Sequence, residues 1–540
     1  MLKSDPFWYK NAVFYEVYVR AFYDSNGDGH GDLNGLTRKL DYLQSLGIDC
    51  LWLLPIYPSP LKDDGYDISD YMGIHPDYGT LDDFKSLLAA AHARNIRLIM
   101  DLVINHTSDQ HPWFQAARTD KHSPFRDYYV WSDTDKKFSQ ARIIFVDTEK
   151  SNWTWDEVAG QYFWHRFYSS QPDLNFDNPA VRAEFIRIIR FWLDLGVDGF
   201  RVDAAPYIFE REGTNSENLP ETHAFLKEIR KFIDQNYPGR ILLCEANQWP
   251  QEVCDYFGNG DEFHLAFHFP LMPRIFMALR SGDTSPIVWA LTHTPAIPEN
   301  CQWCTFLRNH DELTLEMVTE EQRQWMWEQY APDPRMRLNL GIRRRLAPLL
   351  DNDQRKIGLA FSLLFTLSGS PIIYYGDEIG MGDNLSLPDR NGVRTPMQWE
   401  TGPNAGFTQA KTIYSPVNDV APFHPEKVNV VSECADATSL WSRIQKMISI
   451  RKSQPALCSG NLTMLDCGSP AVAAYLREES QERVLVLQNL SAESQQINWP
   501  LEKDVPGVII DLLTGQPQGM ISGKANLTLQ PYEYRWLLIQ

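Results

Sequence analysis

The chain of 540 residues lacks the features of several special classes of protein. It has 50 basic against 70 acidic residues, so it lacks the basic surplus that binds nucleic acids and anionic membrane surfaces. Its most apolar stretch, residues 359–375, is interrupted by serine, glycine and proline and is unsuited to span a membrane. The start, MLKSDPFWYK, lacks the apolar core of a signal peptide. We therefore expect a cytoplasmic protein with neither nucleic acid nor membrane as partner.

Cysteine is also scarce, and the eight residues are scattered. Only Cys301 and Cys304 have the CxxC spacing of thiol metal or redox motifs, and no second pair lies nearby. We therefore expect neither metal binding nor redox chemistry at these cysteines, and we expect no organic cofactor. Aromatic residues are abundant, with 17 Trp, 23 Tyr and 27 Phe. Most of these rings would fill a large core, although rings also stack on the C–H faces of sugars.

Short apolar runs alternate with amphipathic helical stretches over most of the chain. Intervening helices, for example at 81–94 and 179–195, separate most of these runs. Eight strands with helices between them predict an α/β fold built on a parallel (β/α)8 TIM barrel. The predicted strands are 13–21, 50–55, 96–104, 199–203, 241–245, 263–269, 302–308 and 371–375.

Three segments do not fit the simple barrel repeat. The barrel itself is predicted to comprise residues 1–104 and 179–455. The gap after its third strand is too long for a loop, so residues 105–178 are expected to form an inserted small domain B. A helical insertion is predicted at 312–350, after the seventh strand. From 456 to 540, short alternating runs between turn residues predict a C-terminal antiparallel β-sandwich domain.

Polar side chains follow the apolar run at four of the predicted strand ends. Each of them alone would be read as a helix cap or an ion-pair partner. Barrel enzymes, however, gather catalytic groups from several strand ends, and converging carboxylates are tolerated mainly where their shifted pKa values serve chemistry. These ends are RLIMDLVINH with Asp101, Asn105 and His106, GFRVDAAP with Arg201 and Asp203, LLCEAN with Glu245, and FLRNHDE with His310 and Asp311.

Two carboxyl groups on neighbouring strands suit the cleavage of an acetal. One must protonate the leaving oxygen while the other meets the developing oxocarbenium ion, and close spacing gives a covalent intermediate and net retention. Arg201, on the same face as Asp203, would keep that carboxylate ionised as a nucleophile. Glu245 would need a raised pKa to keep its proton as the acid.

These motifs resemble those of the α-amylase family, glycoside hydrolase family 13. DLVINH, GFRVDAAP, the glutamate after the fifth strand and RNHDE match four of its signature regions in order, and QPDLN at 171–175 matches the fifth. The resemblance covers about residues 8–400. It implies Asp203 as nucleophile, Glu245 as acid/base and Asp311 as transition-state stabiliser. It also places His106, Arg201 and His310 in the same site.

Further motifs resemble exo-acting α-glucosidases. In KDDGYDISDY, Tyr66 would stack on the terminal sugar ring and Asp63 would hold its hydroxyls. Arg394 of DRNGVRTPMQW matches the arginine that joins Asp63, and Phe167 and Gln171 match positions that line the first sugar site. A site closed in this way accepts one glucosyl unit and excludes polymer interiors.

Longer stretches resemble the branch of the family that interconverts maltose and trehalose. They are residues 206–230, NHDELTLEMVTEEQ and YYGDEIGMGDN. The resemblance implies a disaccharide partner and an intramolecular transfer. Maltose donates glucosyl to Asp203, the released glucose turns in the pocket, and its anomeric hydroxyl attacks. Water competes for the same intermediate, so some hydrolysis to glucose is expected.

Three alternatives stay open. A hydrolytic exo-acting α-glucosidase similar to oligo-1,6-glucosidase, or an enzyme similar to sucrose isomerases, would use the same carboxylates. A non-enzymatic, transporter-associated barrel is disfavoured because Asp203, Glu245 and Asp311 are all present and no anchor is seen. The oligomeric state is open, and a homo-oligomer would be compatible with the sequence.

The segment DSNGDGHGD resembles a calcium loop. It carries Asp24, Asn26, Asp28, His30 and Asp32 at alternate positions, and the family often binds a cation there. It is not an EF-hand, because a glycine stands where the bidentate acid would be, and a polar Asx-rich turn is the alternative.

A second cation site is implied by the resemblance alone. Asn105, Asp173 and Glu210 would hold the ion together with the backbone carbonyls of Tyr207 and Ile208. Calcium is expected at both sites, with magnesium as the alternative. Both ions would be structural, because the acid/base pair needs no metal.

Overall fold

The computed structural model describes residues 5–499, 501, 508–519 and 526–540. Eight parallel strands form a closed barrel in which each strand pairs with its neighbours in chain order, and the last pairs with the first. The predicted barrel is thus confirmed. Its strands are Phe14–Val17, Cys50–Leu53, Arg97–Val103, Gly199–Asp203, Ile241–Cys244, Leu265–Phe267, Gln302–Phe306 and Ser370–Tyr374.

Helices surround the barrel, and their ends follow local sequence signals. Thr80 and Asp83 form a capping box at the start of Leu81–Ala93, and Gly196, at φ 105°, ends Pro179–Leu195 in the left-handed conformation that glycine adopts without strain. The other barrel helices are Leu33–Arg38, Leu40–Leu46, Pro220–Asn236, Pro250–Asp255, Met272–Ser281, Ser285–His293, Gln354–Thr366 and Leu440–Ser453.

Short helices complete the barrel region. The first predicted strand ends early at Val17, because its apolar run continues into the buried helix Val19–Phe22 and hydrophobicity alone does not mark the boundary. The other short α-helices are Leu346–Leu349, Val430–Ala435 and Pro455–Cys458. The 3-10 helices of the described chain are Trp8–Lys10, Pro76–Tyr78, Arg126–Tyr128, Ala205–Tyr207, Pro334–Met336, Asp377–Ile379, Asp389–Val393 and Pro403–Gly406.

The segment after the third strand contains its own small sheet. Trp131–Ser132, Gln161–Trp164 and Trp153–Asp156 pair antiparallel in that order, and helix Pro112–Thr119 precedes them. An isolated antiparallel bridge between His106 and Asp173 ties the two ends of this segment together beside the barrel mouth.

The insertion after the seventh strand is less purely helical than the sequence pattern predicts. Helix Glu320–Tyr330 is present, but Leu313–Thr314, Gly341–Ile342 and Arg337–Leu338 also form a three-stranded antiparallel sheet. These strands are only two residues long, too short for their alternation to be visible in the sequence.

The C-terminal part is an antiparallel β domain, as predicted. Its larger sheet has the order Asn461–Met464, Val472–Glu479, Glu482–Asn489, Tyr534–Ile539, Ile509–Asp511 and Gln516–Gly519, and its smaller sheet pairs Gln495–Asn498 with Asn526–Leu529. The limits of the domains stay predictions. Within the described part of the chain, every helix is too short or too polar to cross a lipid bilayer.

Candidate active site

Asp203 and Glu245 meet at one guanidinium group at the carboxyl end of the barrel. Arg201 Nη1 lies 2.5 Å from Asp203 Oδ1, and Arg201 Nη2 lies 2.6 Å from Glu245 Oε1. Arg201 Nη1 also binds Asp101 Oδ1 at 2.6 Å. Because one planar guanidinium holds them together, the two carboxylates lie side by side on adjacent strands. A retaining mechanism uses a neighbouring pair of carboxyl groups of this kind.

The backbone after Asp203 supports this pair. Ala204 has a left-handed conformation, with φ 52°, which is unfavourable for a residue with a Cβ. In this conformation its amide donates a hydrogen bond to Glu245 Oε2 at 3.0 Å. Strain of this kind is typical of functional sites, and here it orients a donor toward the proposed acid.

Burial raises the pKa values of both carboxyl groups above their ordinary values. Burial raises the pKa of Asp203 to about 6 against the opposing charge of Arg201, and the negative charge of Asp101 adds to the rise. Burial likewise raises the pKa of Glu245 to about 7, again opposed by Arg201. The two groups are in contact with one guanidinium, so their titrations are coupled. Raised pKa values in such a pair keep one proton available near neutral pH, and a retaining mechanism needs one ionised and one protonated carboxyl group.

Asp311 lies on the other side of the pocket among cations. Its Oδ1 contacts Arg390 at 2.9 Å and Arg394 at 3.0 Å, and its Oδ2 lies 3.2 Å from His310 Nε2. Burial disfavours the ionised form, but His310 and the two arginines outweigh it and hold the pKa of Asp311 well below its usual value. Asp311 therefore stays ionised and available to hold sugar hydroxyls.

Tyr66 and His106 line the same pocket. The Tyr66 ring stacks on the His310 ring at 5.3 Å with an interplanar angle of 8°. His106 Nε2 is 3.2 Å from the carbonyl oxygen of Tyr66, and its ring lies against Phe167. Burial lowers the pKa of His106 to about 3, so this ring is neutral.

The partner of Arg394 differs from the predicted one. Asp63 accepts a hydrogen bond from Gln171 Nε2 at 2.8 Å, whereas Arg394 binds its neighbour Asp64 at 2.7 Å. The reason is local: Asp64 has φ 48°, so the two adjacent side chains diverge. Asp63 still lines the pocket, and burial raises its pKa to about 7.

These residues line one pocket with a cavity volume of about 130 Å³. Several residues that line it, among them Arg390 and Phe145, were not predicted from the sequence. Arg390 binds both Asp311 and Glu312 at 2.9 Å, and Phe145 packs against Phe167. The lining comprises Asp63, Tyr66, His106, Ile144, Phe145, Phe167, Asp203, Ala204, Tyr207, Glu245, Asn247, Phe269, Asn309, Asp311, Glu312, Thr314, Glu316 and Arg390.

A second missed feature is a latch of ion pairs beside the pocket. Arg142, from the segment after the third strand, binds Glu217 at 2.8 Å and Glu316 at 2.7 Å. Its Nη2 also donates to the Tyr207 hydroxyl at 3.1 Å. Arg166 binds Glu217 from the other side at 2.7 Å. The latch joins three separate segments of the chain at the pocket wall.

The loop at residues 24–32 is organised by its own hydrogen bonds. Asp24 accepts from the amides of Asn26, Gly27 and Gly29, and Asp32 accepts from Ser25 and Gly35. These are the bonds of the Asx-rich turn that the sequence left as an alternative. Asp28 accepts from the amide of His30, whose ring lies against Tyr414. A cation at this loop stays a prediction.

The second predicted cation set shows a different pattern. Asn105 Oδ1, Asp173 Oδ2 and Glu210 Oε1 are buried oxygen atoms without a hydrogen-bond partner among the described residues. Burial raises the pKa of Asp173 to about 8 and that of Glu210 well above its ordinary value, with Asp173 adding to the latter. Oxygen atoms left without donors in this way fit a hard divalent cation. Among the described residues, no three His, Cys, Asp or Glu side chains form a metal-binding group, and this set would rely on an amide and backbone carbonyls instead.

Comparison with known proteins agrees with this architecture. Residues 16–460 match the family model described as alpha amylase, catalytic domain, and residues 462–536 match the maltogenic amylase C-terminal domain. The trehalose synthase/amylase TreS of Mycolicibacterium smegmatis is 54% identical, over 100% of this chain and 94% of that protein. The trehalose synthase of Pimelobacter is 52% identical, over 99% of this chain and 96% of the relative.

A solved structure is similar over the whole chain. The trehalulose synthase MutB of Pseudomonas mesoacidophila, in a variant complexed with the substrate sucrose, has a TM-score of 0.80 and 31% sequence identity, covering 99% of each chain. The fold, the five signature regions and the family model agree with one another. The chain therefore belongs to the α-amylase family of glycoside hydrolases.

Proposed function

We propose that the chain interconverts maltose and trehalose by transferring a glucosyl unit within one pocket. The observation that carries the proposal is the pairing of Asp203 and Glu245 on Arg201, at 2.5 and 2.6 Å, in one pocket that both carboxyl groups line. Full-length relatives named trehalose synthase, at 52–54% identity, support the choice of substrate.

The first half of the reaction breaks the bond of maltose. Glu245 donates its proton to the glycosidic oxygen while Asp203 Oδ attacks the anomeric carbon from the opposite face. Glucose is released inside the pocket, and the glucosyl unit becomes an ester of Asp203 with inverted configuration. Asp311, kept ionised by its cationic neighbours, holds hydroxyls of the ring as positive charge develops.

The second half forms the new bond. Glucose turns so that its anomeric hydroxyl faces the ester carbon, and ionised Glu245 removes the hydroxyl proton as the oxygen attacks. The bond to Asp203 breaks, the carboxylate is restored, and the second inversion restores the α configuration at the donor carbon. The attacking glucose is the α-anomer, and its own configuration is kept, so the product is α,α-linked trehalose. The same two groups catalyse the reverse reaction by microscopic reversibility.

The walls of the pocket support the retention of glucose. Tyr66, Asp63 and Gln171 occupy the donor end, where one glucosyl ring would fit. At the other end the Arg142 latch joins the segment after the third strand to Glu316 and Tyr207. A closed mouth keeps glucose in contact with the intermediate and restricts the entry of water.

A structural cation is part of the proposal. Asn105, Asp173 and Glu210 would hold calcium, or magnesium, with help from the backbone carbonyls of Tyr207 and Ile208. When bound, the ion would join the end of the third strand to the loop after the fourth, and it takes no part in bond cleavage. The three unpartnered oxygens support this assignment.

Product analysis tests the proposed function. The protein is incubated with maltose plus radiolabelled free glucose, and initial products are separated by chromatography. We expect trehalose to exceed newly formed glucose and to carry little label, because the acceptor does not leave the pocket. A majority of glucose would instead indicate a hydrolytic α-glucosidase, and heavily labelled trehalose would exclude an intramolecular transfer. Asp203→Asn serves as the inactive control.

Sucrose is a second substrate that one observation favours. The similar MutB structure is described with sucrose as its substrate, and the glucosyl half of sucrose is the same as that of maltose. We expect slower conversion of sucrose at the same carboxylates. A rate on sucrose above that on maltose would favour a sucrose isomerase instead.

A further inference from the structure

Glu16 is a carboxylate in the centre of the barrel that the proposed mechanism does not use. It lies on the first strand between Trp52 and Tyr374 and is fully buried. Its Oε1 is 2.6 Å from His310 Nδ1 and accepts a hydrogen bond from the His310 amide at 3.1 Å. A buried carboxylate is stable only when a cation or several donors face it. The imidazole of His310 is the group placed to do so.

The other nitrogen of the same ring also faces acidic groups. His310 Nε2 is 2.9 Å from the Tyr66 hydroxyl and 3.2 Å from Asp311 Oδ2. The Tyr66 hydroxyl in turn lies 3.2 Å from Asp101 Oδ2. A neutral imidazole carries one proton, so one of its two nitrogens would present a lone pair to a carboxylate. Two protons on the ring satisfy both sides.

We propose that Glu16 is a positioning residue that keeps His310 doubly protonated, so that a fixed positive charge faces Asp311 and fixes the orientation of Tyr66. With both nitrogens protonated, His310 Nε2 donates a hydrogen bond to the oxygen of the Tyr66 hydroxyl. The Tyr66 hydroxyl then donates its own hydrogen bond to Asp101. The roles of Asp311 and Tyr66 rest on the proposed function, whereas the charge of His310 follows from the contacts of Glu16.

The electrostatics of the surrounding groups agree with this arrangement. Burial lowers the pKa of His310, but Asp311 and Glu16 outweigh burial and raise it to about 9. Arg394 contacts only the backbone oxygen of His310, and Asp101 is already bound by Arg201. The ionisable groups that face the pair are Arg308, Tyr374 and Asp377 around Glu16, and Tyr66, Asp101, Asp311 and Arg394 around His310.

The direct test measures the charge of the ring. Nitrogen NMR of protein isotopically labelled only at its 13 histidines distinguishes imidazolium from neutral imidazole. At pH 8 we expect one persistent imidazolium in the wild type, which disappears in His310→Gln. In Glu16→Gln the pKa of His310 should fall by about 1–3 units, as loss of an adjacent opposite charge predicts. A neutral His310 in the wild type at pH 8 would overturn the proposal, even if Glu16→Gln did not fold.

A kinetic test asks whether this charge matters. The ratio of kcat/KM for maltose at pH 8 to that at pH 6 should fall further in Glu16→Gln than in the wild type, by about twofold if the pKa of His310 falls by about one unit from about 9 and by about tenfold if it falls by about two units. The matched control is Glu378→Gln, which also removes a fully buried carboxylate, one bound by Tyr15 at 2.6 Å and Tyr42 at 2.7 Å outside the pocket. The control should keep the wild-type ratio.

Two outcomes refute the positioning role. Equal ratios in Glu16→Gln and Glu378→Gln would assign Glu16 to stability alone. A shift that persists when Glu16→Gln is combined with His310→Gln would show that another group titrates. Both readouts are independent of the product formed, so they remain decisive if maltose proves to be hydrolysed rather than isomerised.

Discussion

Removal of Arg142 should allow water to compete with glucose for the glucosyl intermediate. Its guanidinium binds Glu217 at 2.8 Å, Glu316 at 2.7 Å and the Tyr207 hydroxyl at 3.1 Å. Glu316 and Tyr207 line the pocket, whereas Arg142 belongs to the segment after the third strand. Arg142→Ala therefore weakens the connection between that segment and the two loops that carry Tyr207 and Glu316.

The magnitude follows from the exposure of the latch. The Arg142 side chain is 36% exposed, so each ion pair contributes about 0.2–1 kcal/mol rather than the value of a dry pair. Together with the tyrosine hydrogen bond, of about 1 kcal/mol, the loss amounts to about 2 kcal/mol. Since 1.4 kcal/mol is a factor of about ten, a loss of about 2 kcal/mol should raise the population of the open state roughly thirtyfold. Glu217 keeps Arg166, so it does not become an isolated buried charge.

The assay compares the initial rates of glucose and trehalose formation from maltose. In Arg142→Ala the ratio of glucose to trehalose should increase several-fold, up to about thirtyfold if opening limits hydrolysis. Arg118→Ala is the matched control, because Arg118 is 29% exposed in the same segment and binds Asp156 at 2.8 Å outside the pocket. An unchanged ratio in Arg142→Ala, or an equal increase in Arg118→Ala, would refute the role of the latch.

Three other outcomes are expected. Asp203→Asn should lower kcat by about 10⁴-fold or more, as loss of a nucleophile does, with little change in unfolding temperature; near-normal turnover would exclude Asp203 as nucleophile. Burial raises the pKa of Glu245 from 4.5 to about 7, so ionising it in the folded state costs about 3 kcal/mol above that pH. Glu245→Gln should therefore unfold at a higher temperature than the wild type at pH 8, and the two unfolding temperatures should be close at pH 5. Calorimetry that shows an equal increase in unfolding temperature at both pH values would contradict the raised pKa. A chelator should lower the unfolding temperature of the wild type, and calcium should restore it. The unfolding temperature of the double variant Asp173→Asn, Glu210→Gln should respond to neither. If the double variant responded as the wild type does, the ion would be bound elsewhere.

The barrel and its acidic mouth could be predicted because both depend on neighbours in the sequence. Parallel strands buried on both faces need short apolar runs, and all eight runs form strands of the closed barrel. Asp203 ends the fourth strand and Glu245 directly follows the fifth. Consecutive strands are adjacent in the barrel, so chain order alone brings the two residues together. The end of the first strand was harder, because the apolar residues after Val17 are buried in a helix.

The missed residues come from segments that no periodicity describes. Arg390 lies in a 3-10 helix of the long loop after the eighth strand, yet it binds Asp311 and Glu312 from the seventh. Its position four residues before Arg394 in the same motif was the available signal. Arg142 had no such signal, because its partners lie 75 and 174 residues away in other loops. Contacts of this kind depend on how the loops pack, which local patterns do not determine.

The partner of Arg394 could not be predicted from residue identity alone. KDDG contains two adjacent carboxylates of the same chemistry, and only the left-handed backbone of Asp64 directs one to Arg394 and the other to the pocket. Asp63 is thereby left with Gln171 as its hydrogen-bonding partner, and burial raises its pKa to about 7. Near neutral pH this group is able to donate as well as accept hydrogen bonds to a sugar hydroxyl. Had Asp63 held Arg394 directly, the cation would have favoured its ionised, acceptor-only form, so the turn at Asp64 affects how the donor end of the pocket binds a sugar.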